Sequence, residues 1–527
     1  MTRVTVLALL CLVSAADEPT GLRFTPVDGI DFVHFMGDAK MDTIIESAAG
    51  GVTVLDFDGD GLLDLYFTNG AHLPGISGGD PPPAPPRNRL YRNRGDWKFE
   101  AVDGAGDPGY SFGAAAGDYD NDGDPDLYVC NFGRNTLYRN DGGRFTDVTA
   151  AAGVGDERWS IAAAFADLDG DGLLDLYVAN YLLYDPAIKP EQPSYPFPSP
   201  LAYKGQADRI YRNLGDGRFA DVTEGSGVGD PDLHSMGLAV ADLDADGLPD
   251  VFVSGDGMAN ALYRNLGGMR FEEVSAKWGV RMLADGSAGA SMGAEVCDLD
   301  EDGLLDLLVP DFGPGAVYLA DRPGLFRDRA ASSGIGQACD GLITWSGLVF
   351  DADHDGHVDC FFTNASAFKL EGQADRIVRG AGGGRYRDVS GASGPYFLEQ
   401  LPSRGAAAAD LDGDGDLDLV VAVLGGRARL LRNDAAGGHW LQVRLRGTTS
   451  NRDGLGARVE WEAGGLRQVR VLTPTSGYGS QNPAVAHFGL GESTAGTLHV
   501  LWPRGARQSV RVDAVDRVLE VVEPADE

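Results

Sequence analysis

The sequence predicts an all-β protein: a seven-bladed β-propeller followed by a small all-β, sandwich-like domain. Three observations predict this fold class. A nine-residue aspartate-rich motif recurs seven times, each copy lies in a unit with four short strand-like runs, and the last part of the chain alternates apolar and polar residues without the motif. The 75 glycines among 527 residues agree with many tight turns.

The motif has aspartate at positions 1, 3, 5 and 9 and glycine at position 6. Its copies lie at 56–64, 118–126, 167–175, 242–250, 298–306, 351–359 and 410–418. A helix-flanked calcium hand would need glutamate at position 12, where the first copy has Phe67 inside a strand-like run. The motif therefore predicts a strand–loop–strand unit that repeats at intervals of 49 to 75 residues, as propeller blades do.

The rest of each unit predicts its four strands. Small and apolar residues precede the motif, and a run such as "LDLYFTN" follows it. Then comes "LYRN" at 90–93 or a variant of it, and after a Gly-rich turn a fourth run such as "RFTDVT" at 144–149. The last unit lacks a good fourth run, whereas "LRFTPVDGIDF" at 22–32 resembles one. We therefore expect residues near 22–28 to complete blade seven and close a propeller that spans 22–435.

The loops predict metal sites made of oxygen ligands only. Alternate aspartates on a tight turn converge on one point, and several carboxylates so close together repel one another unless a cation neutralises them. Hard oxygen ligands suit Ca²⁺, so we expect up to seven structural Ca²⁺ ions, bound by four carboxylates and the position-7 carbonyl of each loop. The alternative is a set of solvated turns without metal.

The predicted ligands follow from the alignment of the seven loops. They are Asp56, Asp58, Asp60, Leu62, Asp64, Asp118, Asp120, Asp122, Asp124, Asp126, Asp167, Asp169, Asp171, Leu173, Asp175, Asp242, Asp244, Asp246, Leu248, Asp250, Asp298, Asp300, Asp302, Leu304, Asp306, Asp351, Asp353, Asp355, His357, Asp359, Asp410, Asp412, Asp414, Asp416 and Asp418. His357 would contribute its backbone carbonyl only, like the leucines at the same position.

The opposite end of the blades is where we expect a partner to bind. Two long insertions, 71–88 and 181–208, fall between the second and third strands of their blades. Both are rich in proline, and the second also in tyrosine, which suits a stiff recognition surface or, alternatively, a packed ornament. The predicted partner-binding residues lie in the runs before the loops, near the mouth of the central channel. They are Trp159, His234, Glu295, Trp345 and Arg404.

The last segment, 436–527, alternates as "HWLQVRLRG" and "RQVRVLT" do, and predicts a small β module. Its polar residues either line a site or sit in turns. The candidates are Asn451, Arg452, Asp453, Gln481, Asn482 and His487.

The first residues predict a secretory signal peptide at 1–16, with Arg3 before the apolar run 4–13. We therefore expect a secreted or extracytoplasmic protein, periplasmic or extracellular, with no membrane span. A net charge of −36 argues against nucleic acid and anionic membranes as partners. The four remaining cysteines have no telling spacing and are predicted to be free thiols rather than a disulfide framework. They are Cys130, Cys297, Cys339 and Cys360.

The loops resemble the FG-GAP/VCBS repeats of integrin-α-like propellers over roughly 22–435. "SNRDGLGARVE" (450–460), "SGYGSQN" (476–482) and "LHVLWPRGARQ" (498–508) resemble the ASPIC/UnbV domain. The whole chain is similar to the cartilage acidic protein-like family. That resemblance implies an extracytoplasmic protein with structural calcium and no defined catalytic mechanism.

The expected function is thus a secreted calcium-binding module of the adhesion type, with an unidentified protein or glycan as its partner. Two alternatives stay open. One is an extracytoplasmic enzyme at the channel mouth, with His234, Glu295 and Arg404 as acid–base groups. The other is a structural component of a surface layer or matrix.

Overall fold

The computed structural model of the protein describes residues 21–192, 195–435 and 437–525. The predicted signal peptide lies outside the described residues. Strands dominate, and the helices are single turns. They are Ile44–Ser47, Thr149–Ala152, Ser275–Trp278, Ala330–Ser333 and Ile335–Ala338, with 3₁₀ turns at Pro200–Ala202, Ser390–Ala392 and Pro395–Leu398. Within the described residues, no helix is long and apolar enough to cross a membrane.

The repeat region forms seven four-stranded antiparallel sheets, numbered here as blades 1 to 7. Blade 1 consists of Val52–Leu55, Asp64–Phe67, Arg89–Asn93 and Phe99–Val102. Blade 2 consists of Ser111–Gly117, Asp126–Asn131, Thr136–Asn140 and Phe145–Asp147. Blade 3 consists of Ser160–Ala166, Asp175–Asn180, Arg209–Asn213 and Phe219–Asp221. Blade 4 consists of Ser235–Ala241, Asp250–Gly255, Ala261–Asn265 and Phe271–Glu273.

The remaining blades follow the same order. Blade 5 consists of Glu295–Cys297, Asp306–Val309, Ala316–Arg322 and Leu325–Asp328. Blade 6 consists of Thr344–Phe350, Asp359–Asn364, Arg376–Gly380 and Tyr386–Asp388. Blade 7 consists of Ser403–Ala409, Asp418–Val423, Arg429–Asn433 and Phe24–Val27.

The predicted closure of the ring is confirmed. Phe24–Val27 pairs antiparallel with Arg429–Asn433, so the N-terminal part of the chain supplies the fourth strand of blade 7. The first strands of successive blades contact one another around a closed circuit, and the first strand of blade 7 contacts that of blade 1. Apolar side chains such as Tyr66 of blade 1 and Leu127 of blade 2 fill the space between neighbouring blades. The fold is therefore a β-propeller whose central axis is lined by first strands.

The C-terminal module has two sheets, and its sandwich character is confirmed. The first sheet contains Val485–Gly491, His439–Arg446 and Arg517–Val522, and the second contains Leu466–Val471, Arg458–Ala463, Gly496–Leu501 and Arg507–Val512. Side chains from both sheets, among them Leu441, Phe488 and Trp461, form one apolar core.

Candidate metal centres and central channel

The seven loops share one backbone conformation. The position-6 glycine has φ between +89° and +104° in every copy, a region that disfavours side chains. Its N–H donates to the position-1 carboxylate, as Gly61 does to Asp56 Oδ2 at 3.0 Å. The position-7 N–H donates to the position-5 carboxylate, as Leu62 does to Asp60 Oδ1 at 2.9 Å. Both bonds recur in all seven loops.

Among the residues that the structure describes, one carboxylate oxygen has no hydrogen-bond partner at position 3 of six loops and at position 1 of three of them. In the described part of the chain, nine such oxygens are buried and have no hydrogen-bond partner. They are Oδ1 of Asp56, Asp58, Asp120, Asp169, Asp298, Asp300, Asp351, Asp353 and Asp412. The other oxygen at position 3 is often held by the arginine of the "YRN" run, as in Arg92–Asp58 at 2.6 Å. Buried oxygens without a donor are costly, so this arrangement fits a bound cation.

The position-9 aspartate has a second task that the sequence did not reveal. Asp64 is fully buried, and its two oxygens accept the N–H groups of Phe57 at 3.1 Å and Asn93 at 2.7 Å. The equivalent pair of bonds forms in every blade. Each position-9 carboxylate therefore ties the loop to the third strand, in addition to its predicted role as a ligand.

The electrostatics of the loops also favour a cation. Burial raises the pKa of Asp64 to about 7 and that of Asp126 to about 9, with smaller contributions from the neighbouring loop aspartates. Burial likewise raises the pKa of the position-1 residues Asp118 and Asp351 to about 7. A divalent cation would reverse these shifts, because it stabilises the ionised carboxylates.

Carboxylate oxygens of three predicted ligands lie within 4.8 Å of one another in at least four loops. The groups are Asp56, Asp58 and Asp64; Asp118, Asp120 and Asp122; Asp167, Asp169 and Asp175; and Asp242, Asp244 and Asp246. The structure thus brings together residues of positions 1, 3 and either 5 or 9. The position-7 carbonyls stay predicted ligands.

The asparagine of "YRN" links neighbouring loops, a structural role that was not predicted from the sequence. Asn140 Nδ2 in blade 2 donates to Phe57 O in the loop of blade 1 at 2.8 Å, and to Pro125 O in its own loop at 3.1 Å. The same two bonds form in four further blades. Recurrence of "RN" after five of the seven loops was the signal that could have revealed this link between neighbouring loops.

Blades 5 and 6 have other residues in place of this asparagine and replace its bond. Gly324 N donates to Leu243 O at 3.1 Å in the loop of blade 4, and Tyr386 Oη donates to Leu299 O at 2.8 Å in the loop of blade 5. Every loop is therefore held by the next blade, and the seven loops form one connected ring.

The C-terminal module sits on this ring of loops. Three carbonyls of position-6 glycines are hydrogen-bonded to its side chains: Gly61 to Arg444 at 3.3 Å, Gly303 to Arg458 at 2.7 Å and Gly415 to His487 at 3.0 Å. The loop end of the propeller is thus a docking face as well as a set of candidate metal sites.

Three more loops take part in this docking. Asp118 N donates to Asp453 Oδ2 at 2.9 Å. Gly491 N donates to His354 O at 2.8 Å. In blade 3, a Cβ on Gly172 would lie only 2.4 Å from the carbonyl oxygen of Thr449, so the module and the loop are in close contact there.

A segment of the module, Ser476–Asn482, enters the central channel and is called the plug here. Gln481 N donates to Val52 O at 3.1 Å and Val54 N donates to Gln481 O at 3.0 Å, so the plug extends the first strand of blade 1. The Gln481 side chain bonds both the N–H and the carbonyl of Ala116 in blade 2. The plug therefore joins blades 1 and 2.

Small residues of the first strands make room for the plug. A Cβ on Gly51 would lie 2.0 Å from Gly479 O, and one on Gly293 would lie 2.5 Å from Gly477 O. These glycines sit five residues before their loops, where the sequence shows a run of small residues around the propeller. Their smallness permits close approach of another backbone.

The polar residues predicted in the module are used for docking. Asn482 Oδ1 accepts from Ala408 N at 2.8 Å, and Arg452 N donates to Asn121 Oδ1 at 2.9 Å. Asn451 instead holds its own turn, through Leu455 at 2.9 Å. Together with Asp453, Gln481 and His487, these residues face the propeller or their own loop.

All five predicted partner-binding residues are buried, and Glu295 and Trp345 contact the plug directly. Glu295 Oε2 accepts from Gly477 N at 3.0 Å, and burial raises the pKa of Glu295 to about 8. Trp345 packs edge-on against Tyr478, with ring centroids 5.1 Å apart. Arg404 lies 3.8 Å above the Trp345 ring and donates to three carbonyls.

The other two predicted residues belong to the same core. Trp159 packs edge-on against Tyr181 at 4.9 Å, and Tyr181 packs against His234 at 6.0 Å. Each of the five thus has a structural task in the channel, and a role in binding a partner stays a prediction.

The insertion end is partly packed and partly exposed. Leu182, Phe197 and Tyr203 of the second insertion belong to the channel core, as a packed ornament would. Leu201 is 58% exposed and Tyr195 is 42% exposed, on the same insertion. The second insertion is therefore packed against the channel at some side chains and exposed to solvent at others.

The described cysteines are free, as predicted: Cys130, Cys339 and Cys360 are buried and Cys297 is partly so.

Comparison with known families agrees with the repeat. The FG-GAP-like repeat family matches residues 56–129, 118–178, 201–253, 242–309 and 351–421, which together make up more than half of the chain. The chain belongs to the FG-GAP-like repeat family. The ASPIC and UnbV family matches residues 447–527 of this FG-GAP-like protein, which is most of the C-terminal module.

Two curated proteins are similar to this FG-GAP-like chain: cartilage acidic protein 1 from Mus musculus and cartilage acidic protein 1 from Homo sapiens. The mouse protein is 27% identical over 312 residues, 55% of this chain and 45% of that protein. The human protein is 27% identical over 310 residues, 55% and 44% of the two chains. The match thus spans less than half the length of these relatives. A solved structure on recognition of non-reducing terminal N-acetylglucosamine by an Agrocybe aegerita lectin aligns with a TM-score of 0.40 and 18% identity, covering 67% of this chain and 82% of that one.

Proposed function

We propose that the chain is a secreted, calcium-binding FG-GAP-like propeller protein that binds a protein partner at its insertion end. Calcium in the seven loops braces the ring of loops and the module docked on it. The insertion end presents the surface for the partner. The observation that carries the proposal is the set of nine buried, unpartnered carboxylate oxygens among the described residues, which are spread over six loops at positions predicted to bind a cation.

The chemistry of the loops supports Ca²⁺ over softer metals. The donors are carboxylates and carbonyls only, and no imidazole or thiolate is a proposed ligand. Ca²⁺ would neutralise the carboxylates that burial otherwise drives toward protonation. With a Kd of about 10⁻⁴ M and about 1 mM Ca²⁺, each site would stabilise the fold by about 1.4 kcal/mol.

Removal of calcium tests this part of the proposal. We expect the Tm of the full chain to fall by more than about 10 °C in chelator, because several sites add their effects. Asp300→Asn should lower the number of bound Ca²⁺ ions by one, measured by native mass spectrometry. The exposed Asp340→Asn is the matched control and should bind as many ions as the original chain. An unchanged Tm in chelator with no bound Ca²⁺ would overturn the proposal.

The exposed apolar side chains of the insertion end support a protein partner. Leu183, Leu201, Leu370 and Leu398 are between 43% and 71% exposed there. An apolar cavity of about 160 Å³ opens beside Leu201 and is also lined by Met292 and Phe368. Cavities of about 150 Å³ accept a group as large as benzene, so this one suits a single apolar side chain of a partner. Leucines offer no hydrogen bonds, which favours a protein over a glycan.

Binding assays against purified matrix proteins and a glycan array test the partner class. We expect a protein ligand whose binding weakens at least tenfold in Leu201→Asp. Leu214→Asp is the matched control, because Leu214 is also exposed, at 48%, but lies in a turn after the third strand of blade 3. Binding to glycans alone, or equal loss in both variants, would contradict a protein site at the insertion end.

A further inference from the structure

Three carboxylates outside the repeated motif meet at the insertion end. Asp38, Asp42 and Glu46 each offer one oxygen, and these oxygens lie within 4.8 Å of one another. They belong to the segment 33–48, called the cap segment here, which packs over the channel through Met36, Ile44 and Ile45. The cluster is therefore at the end of the propeller opposite the seven loops.

Glu46 shows that the cluster lacks a partner. The residue is only 1% exposed. Its Oε2 accepts the N–H groups of Asp42 and Thr43, both at 2.9 Å, and so caps the one-turn helix. Its Oε1 is buried and has no hydrogen-bond partner among the described residues. A buried charged oxygen without a partner is costly and requires an explanation.

The free oxygen of Glu46 lies beside Gly37, the neighbour of Asp38 in the chain. A Cβ on Gly37, the residue before Asp38, would lie 3.3 Å from Glu46 Oε1 and 2.9 Å from Ser77 Oγ. Glu46 Oε1 and Ser77 Oγ thus border the same point beside Gly37, and a side chain at this position would clash with the hydroxyl. Asp38 also holds the first insertion, because its Oδ2 accepts from Gly78 N at 2.6 Å.

The charge around the cluster is not balanced by ion pairs. Among the described residues, no arginine, lysine or histidine lies within 4.0 Å of these three carboxylates. Burial raises the pKa of Glu46 to about 7, and burial with the charge of Asp38 raises that of Asp42.

We propose that Asp38, Asp42, Glu46 and the Ser77 hydroxyl bind one divalent cation of the Ca²⁺ class, separate from the seven loop sites. The donors are all oxygens, which suits a hard cation and argues against zinc. The cation joins the cap segment to the first insertion, two parts that otherwise meet through few polar bonds. Ser47 O accepts from Arg404 and Ala48 O accepts from Tyr478 of the plug. The cation therefore also stabilises the contact between the cap segment and the plug.

The test compares two charge-matched variants of the full chain. Asp38→Asn/Asp42→Asn/Glu46→Gln removes the cluster, while glutamine can still accept the two helix-capping bonds. Asp80→Asn/Asp103→Asn/Glu157→Gln removes three exposed acids and is the control. We expect the first variant to bind one Ca²⁺ fewer by native mass spectrometry, and the second to bind the original number. Equal numbers in both would overturn the proposal.

Crystals soaked in Tb³⁺ give an independent readout. We expect an anomalous difference peak between Asp42 and Glu46, and its absence beside clear peaks in the loops would overturn the site. Should the triple variant fail to fold, Asp42→Asn suffices, because this side chain is exposed. It should weaken Tb³⁺ binding at this site at least tenfold. Since the loops are intact in that variant, the outcome is independent of calcium in the seven loops.

Discussion

The two ends of the propeller differ in how regular their sequence is and in how much of their surface is covered. At the loop end, one motif repeats seven times, and the C-terminal module covers six of the loops. At the insertion end, the connecting segments are irregular, and several leucines remain exposed. The comparison teaches that the repeated residues of the loop end serve assembly, whereas the insertion end, with its irregular connecting segments, is left with exposed apolar side chains.

The largest expected effect is at the plug. Tyr478→Ala should lower the free energy of unfolding by about 3–5 kcal/mol, because the ring is buried against Trp345 and its hydroxyl donates to Ala48 O. Urea denaturation measures the change. Tyr478→Phe should recover most of it, since it restores the ring. A loss below about 1 kcal/mol for the alanine variant would mean that the plug contributes little to assembly.

The next effect concerns pH at Glu295. Its pKa is about 8 in the folded chain against 4.5 for an ordinary glutamate, so the folded state keeps a proton that the unfolded chain releases. Stability should therefore fall as pH rises from 4.5 to about 8. Glu295→Gln should be more stable at pH 7 by about 3 kcal/mol, with a flatter pH profile of Tm.

The exposed Glu272→Gln in blade 4 is the matched control for Glu295 and should keep the original profile. The same slope in Glu295→Gln and in the original chain would place the source of the pH dependence elsewhere.

A smaller pH effect of opposite sign is expected at the docking face. Burial lowers the pKa of His487 to about 3, with the neighbouring His354 contributing, so the folded state stays neutral where the unfolded chain takes up a proton below pH 6.5. Stability is therefore lost as pH falls, by about 2 kcal/mol at pH 5. His487→Gln should lose less between pH 7 and 5 in thermal unfolding, while the exposed His499→Gln should lose as much as the original chain.

The smallest effect is expected at the insertion end. Tyr195→Ala removes an aromatic ring that is 42% exposed and stacks on Phe368 at 5.7 Å. The free energy of unfolding should change by less than about 0.5 kcal/mol. If Tyr195→Ala lowered the free energy of unfolding as much as Tyr478→Ala does, the two ends would not differ in their contribution to stability.

Much of the propeller could be predicted because its signals are local. The recurrence of Asp56 to Asp64 fixed the loops, and the likeness of 22–32 to the fourth runs located the closing strand Phe24–Val27. The predicted ligands are gathered by bonds within nine residues, so a short alignment was enough to find them. The asparagine of "YRN" was visible in the same way but was treated as part of a strand.

The docking could not be predicted because its signals are distant and weak. "SGYGSQN" has no periodicity and suits an ordinary turn, although it passes through the axis some 400 residues away from its partner strand at Val52. The small residues before the loops indicated crowding at the axis but did not reveal that another backbone fills it. Hence the channel-mouth residues were expected to face a partner, whereas the structure buries all five and places Glu295 and Trp345 against the plug.

The sequence by itself thus determined the repeat, its strands, the ring closure and the residues able to hold a cation, since each depends on spacing along a short stretch of chain. Only the tertiary structure decided which end is covered, what fills the channel and where Asp38, Asp42 and Glu46 meet. Those features depend on the fit of surfaces built from distant segments, and no local pattern encodes that fit.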